Sequence, residues 1–333
     1  MAKIGVVLAT YNGEKFLSEM LSSLVMQTRP ADIIFVLDDA SSDSSVQIVE
    51  NFSSKLPIKL WKNSINTGHR AAFSKILEIA RAELLPSDLI ALADQDDIWH
   101  PEKLEILEKA VFCSENKNPD LVFGDANVID AKGQIISTSW RKEAKIIESL
   151  SLENLMTGYT NLTGCLSLFR VSLLDKVLPI PEDVFVHDQW IGFCAFLNNG
   201  YVAIKSPVIK YRLHDDNAIG IGAKHIWKEE ICKNLKWSKL LLNQMNSGKF
   251  EKKSVYFLKD YISYLENRLT RFFLPEYFMW AIKNSKHLYP HVRKPFKILL
   301  RSFISILGVP LLEKIKQKNS GIVDAAITNK FIF

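Results

Sequence analysis

The sequence predicts an α/β fold, a mostly parallel, Rossmann-like sheet with helices on both faces, followed by a C-terminal helical extension. Three observations carry this expectation. Through the first hundred residues, short apolar runs alternate with stretches of helical spacing. Strands joined by helices form a sheet covered on both faces. Polar clusters rich in carboxylates follow the apolar runs, which is where an open parallel sheet binds its ligands. The charge also changes sign along the chain. Residues 1–220 carry 21 Lys+Arg against 29 Asp+Glu, whereas residues 221–333 carry 21 against 8.

The elements follow in order. Ile4–Ala9 reads as the first strand, and Gly13–Gln27 as a helix with Phe16, Leu17, Met20, Leu21 and Leu24 on one face. Ile33–Leu37 is a second strand, Ser41–Phe52 a helix, Ile58–Trp61 a third strand and Arg70–Leu85 a helix. Leu89–Ala93 is a fourth strand, and Pro101–Cys113 a helix with proline near its first turn. Asp120–Gly124 is strand-like, while 127–150 has no clear period and is expected to be a loop or a small irregular layer. Thr163–Phe169 is strand-like, 171–177 a short helix, Asp188–Asn198 a helix and Val202–Leu213 one or two strands. From His225 onward the pattern is helical and basic. A division into 1–220 and 221–333 follows.

Bulk properties bound the function. With 333 residues, 47% hydrophobic and 24% charged, the chain can bury a sizeable core. Its four cysteines show no CxxC pairing and no metal-ligand spacing, so reduced, buried thiols in a cytosolic protein are expected. The N-terminus lacks the long apolar region of a signal peptide. No GxGxxG follows the first strand and no GxxxxGK[ST] occurs, so nucleotide binding would rely on carboxylates and a metal. The basic tail carries no recognised nucleic-acid motif.

Four polar clusters fall at strand ends: Thr10–Gly13, Asp38–Asp43, Asn63–Arg70 and Asp94–Asp97. Within them Thr10, Tyr11, Asn12, Asp38, Asp39, Asn66, Gly68 and Asp94 are the candidate nucleotide-binding residues. The fourth cluster is the sharpest, because three carboxylates within four residues repel one another. A hard divalent cation such as Mg²⁺ or Mn²⁺ would relieve that repulsion through oxygen ligands. The competing structural reading is a solvated acidic turn whose Asp97 caps the next helix; Asp38 or Asp43 alone would likewise serve as an N-cap.

The stretches Val7–Gly13, Asp38–Asp43 and Ala93–Trp99 together resemble family 2 glycosyltransferases of the GT-A fold. His187-Asp188-Gln189-Trp190 and Tyr211-Arg212-Leu213-His214 are similar to the bacterial rhamnosyltransferase-like branch. The resemblance covers roughly residues 3–220. It implies a nucleoside held by Thr10, Tyr11 and Asp39, with Asp39 accepting the N3–H of a pyrimidine. It implies a DxD-like metal and diphosphate motif in Asp94, Asp96 and Asp97, with Asp96 the direct ligand and His214 nearby. Asp188 matches the general base of an inverting transfer, and Gly164 lies in an acceptor-side turn. Trp99, His187 and Trp190 are the further candidates for sugar or acceptor contact. Core packing is the alternative for Trp99 and Trp190, as it is for Trp140.

The resemblance also implies a donor, dTDP-L-rhamnose or otherwise a UDP-sugar, and a glycan or lipid-linked acceptor in surface polysaccharide synthesis. A glycoside hydrolase would instead need two facing carboxylates and no nucleotide. A non-catalytic nucleotide-sugar or carbohydrate-binding protein would need no base. In the basic region, Arg293, Lys294, Lys297 and Arg301 lie beside Phe296, Ile298, Leu299, Leu300 and Phe303. Peripheral contact with the inner face of the plasma membrane is one expectation for this stretch. Packing against the enzyme or a second subunit is the other. Phe296–Leu312 is marginal for spanning a bilayer.

Overall fold

The structure, a computed structural model, describes residues 2–113, 118–147, 149–214, 227–245 and 250–318. It divides into two compact units. The first comprises 1–146 and 161–221, the second 147–160 and 222–333. The division therefore differs from a single cut at 220, because a segment in mid-chain joins the later helices.

The first unit contains strands β1 (Ile4–Thr10), β2 (Ile33–Asp38), β3 (Ile58–Lys62), β4 (Leu89–Ala93), β5 (Ile98–Trp99), β6 (Leu121–Ile129), β7 (Ile135–Ser137), β8 (Ser167–Arg170) and β9 (Tyr201–Arg212). Its helices are α1 (Glu14–Val25), α2 (Ser45–Phe52), α3 (His69–Glu83), α4 (Lys103–Cys113), α5 (Trp140–Glu143), α7 (Leu174–Val177) and α8 (His187–Leu197). One sheet runs in the order β3-β2-β1-β4-β8-β6-β9-β5, with β7 on β6. The β3-β2-β1-β4 half is entirely parallel. Beyond it, β8 pairs antiparallel with both β4 and β6, while β9 runs parallel to β6 and antiparallel to β5.

Chemistry of the side chains explains these elements. β1, β2 and β4 are almost wholly buried, as strands covered on both faces must be. In α1 the buried Leu17, Met20, Leu21 and Leu24 repeat at helical spacing. Register then sets the site. Thr10 lies opposite Asp38, Asp38 opposite Lys62, and Ala93 opposite Leu8. The four polar clusters consequently emerge at one sheet edge.

The stretch 127–150, expected to be irregular, holds more structure than its period shows. β6 continues to Ile129, a turn at Asp130–Gly133 leads into β7, and Ser139 caps α5. Its signal is hidden because β6 pairs on both edges and is buried at every position but Asn127, so no polar alternation marks it. Between α4 and β6, residues 114–117 lie outside the described residues.

The second unit contains α6 (Leu152–Met156), α9 (Trp227–Met245), α10 (Lys252–Thr270), α11 (Tyr277–Lys283), α12 (Ser285–Leu288), α13 (Pro295–Ser305) and α14 (Val309–Lys318). Trp237 donates its indole N–H to Leu155 O at 2.7 Å, and Asn154 Nδ2 donates to His287 O at 3.1 Å. These bonds explain why 147–160 belongs with the later helices. Ile231, Tyr261, Tyr264, Leu265, Ala281 and Val309 form the core of this unit. No helix among the described residues is long and apolar enough to cross a membrane. The expected cationic row on α13 needs a correction, because Arg301 is buried and donates to His291 Nε2 at 2.8 Å.

Where β6 and β9 shift register, between Phe123 and Asp125, Gly124 stands against β9. A Cβ there would lie 2.7 Å from Val208 Cγ1 and 2.9 Å from Ser206 O. Gly124→Ala is therefore expected to destabilise the protein by about 1–3 kcal/mol, measured by urea unfolding. An unchanged midpoint and slope would show that the contact relaxes freely.

Candidate active site

Three of the strand-end clusters form one hydrogen-bonded edge. Thr10 Oγ1 and Tyr11 N both donate to Gln95 Oε1, at 2.8 and 2.9 Å, and Gln95 Nε2 donates to Tyr11 O. Asn12 adopts φ 47°, and its N–H donates to Ser41 Oγ while its Oδ1 accepts from Ser42 N. Asp43 caps two helices from this edge, accepting from Ser45 N at 2.9 Å and Glu14 N at 3.0 Å. Asp38 is buried; its Oδ2 accepts from Ser41 N, while its Oδ1 has no partner among the described residues.

Asp39 holds the third loop. Its carboxylate accepts from Asn63 Nδ2, Thr67 N, Thr67 Oγ1 and Gly68 N at 2.7–3.0 Å, while its carbonyl accepts from Asn66 Nδ2 at 3.2 Å. Burial works against its charge, but these hydrogen bonds outweigh it and hold Asp39 below the usual carboxylate range. Asn66 and Gly68 thus reach the site through Asp39. In this structure the chain's own donors occupy the Asp39 oxygens expected to receive a base.

The acidic turn is assembled by residues far away in sequence. Asp97 is buried and its Oδ1 accepts from Arg212 N at 3.0 Å. Arg212, also buried, donates from Nε to Asp96 O at 2.8 Å and reaches Glu19 with Nη2. His214 Nε2 lies 2.9 Å from Asp96 Oδ2, and its ring packs on Phe16. Burial first, then the Asp94 charge, raises Asp96, with His214 opposing. Burial and the charges of Asp96 and Asp94 push Asp97 well above its ordinary range.

Beneath the turn lies Lys103, fully buried in the first turn of α4, with Nζ 2.6 Å from Cys165 O and 3.2 Å from the Trp99 ring centroid. Burial lowers Lys103 to about 7, against the pull of Cys165, Asp97 and Asp94. Among the described residues, ligand atoms of Asp94, Asp97 and Cys165 converge within 4.8 Å. Burial, then the Asp94 and Asp97 charges, keeps that thiol protonated. A hard cation would therefore find carboxylate oxygens here and no third anionic ligand. The four residues expected at the metal divide accordingly: Asp94 and Asp97 converge, whereas Asp96 is engaged by His214.

Asp188 begins α8. Its Oδ2 accepts from Gly164 N at 3.1 Å and its Oδ1 from Gln189 N at 2.7 Å. Gly164 permits this approach, since a Cβ would meet His187 Nε2 at 3.1 Å and Asp188 Cβ at 3.4 Å. Burial raises Asp188 to about 6, opposed by the Gly164 N–H and by His69, and reinforced by the Asp94 charge. The base candidate and the acidic turn thus act on one another electrostatically.

The aromatic candidates for sugar contact are corrected. Trp99 is buried beneath Lys103. Trp190 is buried and donates to Val177 O at 2.8 Å. His187 is buried with neither ring nitrogen paired, and it stacks on Phe73 at 3.9 Å. Burial, then the neighbouring His69 charge, holds His187 well below its ordinary range, so it is a neutral core ring. Trp140 is likewise buried, with its indole donating to Thr163 Oγ1. Trp99, His187 and Trp190 sit inside the acidic and the His187–Trp190 motifs, and closeness along the chain pointed to the site when their side chains pack in the core. The residues missed were Gln95, Lys103, His69 and Arg212 as a clamp. Gln95 was visible inside the acidic motif, and Arg212 inside the late one; a lysine in an apolar helix face gives no such signal.

Trp99→Ala is expected to cost about 3–5 kcal/mol of stability, as removal of a core ring does. Denaturant unfolding checks this; full stability with weakened ligand binding would restore the stacking role.

The chain is similar to known proteins in sequence and in fold. The chain is 26% identical over 224 residues to the dTDP-rhamnosyl transferase RfbG of Shigella flexneri, covering 64% of this chain and 73% of that protein. It is 28% identical over 215 residues to the poly(ribitol-phosphate) beta-N-acetylglucosaminyltransferase TarS of Staphylococcus aureus, covering 63% of this chain but 35% of the relative. An uncharacterized glycosyltransferase of Nostoc is 26% identical, over 65% of this chain and 66% of its own length. The crystal structure of TarS 1–349 in complex with UDP-GlcNAc superposes with a TM-score of 0.56 at 20% identity, covering 93% of this chain and 83% of that one. This likeness is one of fold, GT-A, with its mixed sheet and helices. Residues 5–178 match the family described as glycosyl transferase family 2, and the chain belongs to that family.

Proposed function

We propose that this protein is an inverting glycosyltransferase that moves a sugar from a nucleoside-diphosphate donor to an acceptor hydroxyl in surface polysaccharide synthesis. The observation that carries the reading is the pairing of two unlike carboxylate environments at one sheet edge. Asp188 is isolated, oriented by two backbone N–H groups and raised to about 6, whereas Asp94–Asp97 form a crowded anionic turn. Separation of carboxylates by environment is how one site supplies both a base and a charge-binding group.

In the reaction, Asp188 takes the proton of the acceptor hydroxyl as its oxygen bonds to the anomeric carbon. The anomeric carbon–oxygen bond to the diphosphate breaks on the opposite face, and the nucleoside diphosphate leaves. Asp94 and Asp97, whose ligand atoms converge, would hold Mg²⁺ or Mn²⁺ together with Asp96, which the metal would share with His214. When bound, the metal supplies Lewis-acid stabilisation of the leaving diphosphate. The edge formed by Thr10, Tyr11, Asn12 and Asp38 would take the nucleoside; Asp39 would shape the loop that closes it. Gly164 and the exposed His69 flank Asp188 on the acceptor side.

The similarity to RfbG supports dTDP-L-rhamnose as donor, and the similarity to TarS supports a UDP-sugar as the second reading. Calorimetry with dTDP and UDP in Mn²⁺ decides between them; tight UDP binding with indifference to dTDP would remove the rhamnose reading. Asp188→Asn should bind nucleotide near normally and lose turnover, whereas Asp96→Ala should lose metal-dependent binding. Because a base works only when deprotonated, and Asp188 is raised to about 6, kcat/KM should fall about tenfold per pH unit below that value. A rate flat down to pH 4.5, or substantial transfer by Asp188→Asn, would refute the base assignment. A non-catalytic binding protein would show no turnover with any donor.

The same reading places the protein in the cytoplasm, at the inner face of the membrane, with a lipid-linked glycan as acceptor. On α13, Phe296, Leu299, Leu300 and Phe303 are exposed at helical spacing, and Arg293, Lys294 and Lys297 are exposed beside them. Each cation near an anionic leaflet contributes about 1 kcal/mol. Sedimentation with phosphatidylglycerol vesicles at low salt, lost at high salt and after Phe296→Ser with Phe303→Ser, is the expected result. An intact chain that stays in the supernatant contradicts membrane attachment.

A further inference from the structure

The second unit holds a partly open cavity of about 170 Å³ lined by its own residues alone. Four tyrosines supply much of the wall, and each hydroxyl is already committed to a main-chain carbonyl. Tyr159 donates to Leu288 O, Tyr261 to Thr157 O, Tyr264 to Ser305 O and Tyr289 to Arg301 O, at 2.9–3.4 Å. These bonds fix the aromatic part of the wall.

Two arginines from different helices line the same cavity, Arg268 of α10 and Arg301 of α13, only 5% and 6% exposed. Arg301 donates to His291 Nε2 at 2.8 Å and forms no ion pair with a described residue. Arg268 has neither a hydrogen bond nor an ion pair to a described residue, and its Nε is fully buried and unpartnered. Its guanidinium lies 5.6 Å from the Tyr264 ring centroid. Glu230 also lines the cavity. Buried guanidinium groups are normally matched by carboxylates or phosphates, because their desolvation is otherwise uncompensated.

We propose that this cavity is a binding site for the phosphoryl group of a small phosphate ester, held between Arg268 and Arg301. Its volume is comparable to the roughly 150 Å³ cavity that admits benzene, so it has room for a phosphoryl group and a few further atoms. A carboxylate is satisfied by one planar fork, whereas a tetrahedral group offers oxygens to two forks arriving from separate helices. The proposal concerns α10 and α13 and is independent of the transfer reaction, which uses residues of the first unit.

The test uses the full chain in EDTA, which removes metal-dependent donor binding. Isothermal titration at constant ionic strength with inorganic phosphate and glycerol 3-phosphate should show one saturable site, with acetate at least tenfold weaker. Arg268→Gln and Arg268→Lys should each weaken phosphate binding at least tenfold, the lysine because it keeps the charge and loses the fork. Circular dichroism checks that both variants fold. Independently of any variant, phosphate should slow phenylglyoxal modification of Arg268 in the wild-type chain while leaving exposed Arg293 unaffected, read by peptide mass. Vesicles of phosphatidylglycerol and of phosphatidylcholine distinguish the sources of the group. Binding that falls with Arg268→Gln identifies a lipid headgroup, and vesicle binding indifferent to it, with glycerol 3-phosphate bound, identifies a soluble ester. Equal labelling of Arg268 with and without phosphate, undiminished phosphate binding by folded Arg268→Gln, or acetate bound as tightly as phosphate would overturn the proposal.

Discussion

The first unit depends on holding three adjacent carboxylates at the end of β4. Two like charges 4 Å apart repel by about 4 kcal/mol at an effective dielectric near 20, so a turn containing Asp94, Asp96 and Asp97 is unstable without partners. The fold supplies them from two directions. Arg212 and His214 reach the turn from the end of β9, and Lys103 approaches from beneath, inside α4. β5 leaves the turn and pairs with β9 two residues before Arg212, at Ile98↔Lys210. Strand pairing and the shape of the turn are therefore one arrangement: the register that pairs β5 with β9 also brings the Arg212 N–H to Asp97 and its side chain to the Asp96 carbonyl.

Asp188 shows the opposite solution to the same problem. It has no cation in direct contact, and burial is the largest influence on it. Two backbone N–H groups orient the carboxylate without cancelling that burial, so its protonation lies near the working range of a base. Gly164 is what permits the arrangement. A Cβ there would press on His187 Nε2 at 3.1 Å.

Much of this was legible in the sequence. Runs buried on both faces, such as Val6–Leu8 and Ile34–Leu37, announce a covered parallel sheet, and polar residues immediately after them mark its ligand edge. The second half of the sheet was harder to read, because β8 and β9 form antiparallel pairs that no crossover pattern announces. Segment 147–160 carries no sign that Asn154 and Leu155 will bond to α9 and α12. Side-chain direction was the least legible property. His187 stands one residue from Asp188, and Trp99 and Trp190 stand two from Asp97 and Asp188, yet closeness along the chain does not set the direction of a side chain. Arg301 was misplaced for the same reason, since on α13 it lies opposite the exposed Phe296 and Leu300 face.

The late Tyr211–His214 motif and the acidic motif are physically a single unit. Arg212 binds Asp97 through its backbone N–H and Asp96 through its side chain, so replacing the side chain removes only part of the clamp. The backbone bond survives any substitution other than proline that keeps β9 in register. It follows that β9 register governs the acidic turn more strongly than the identity of residue 212. A change at a distant β6–β9 contact, such as Gly124 against Val208, would disturb the turn without touching a carboxylate. The resemblance spanning more than a hundred residues between the two motifs thus has a local cause: the hydrogen bonds from residue 212 to residues 96 and 97.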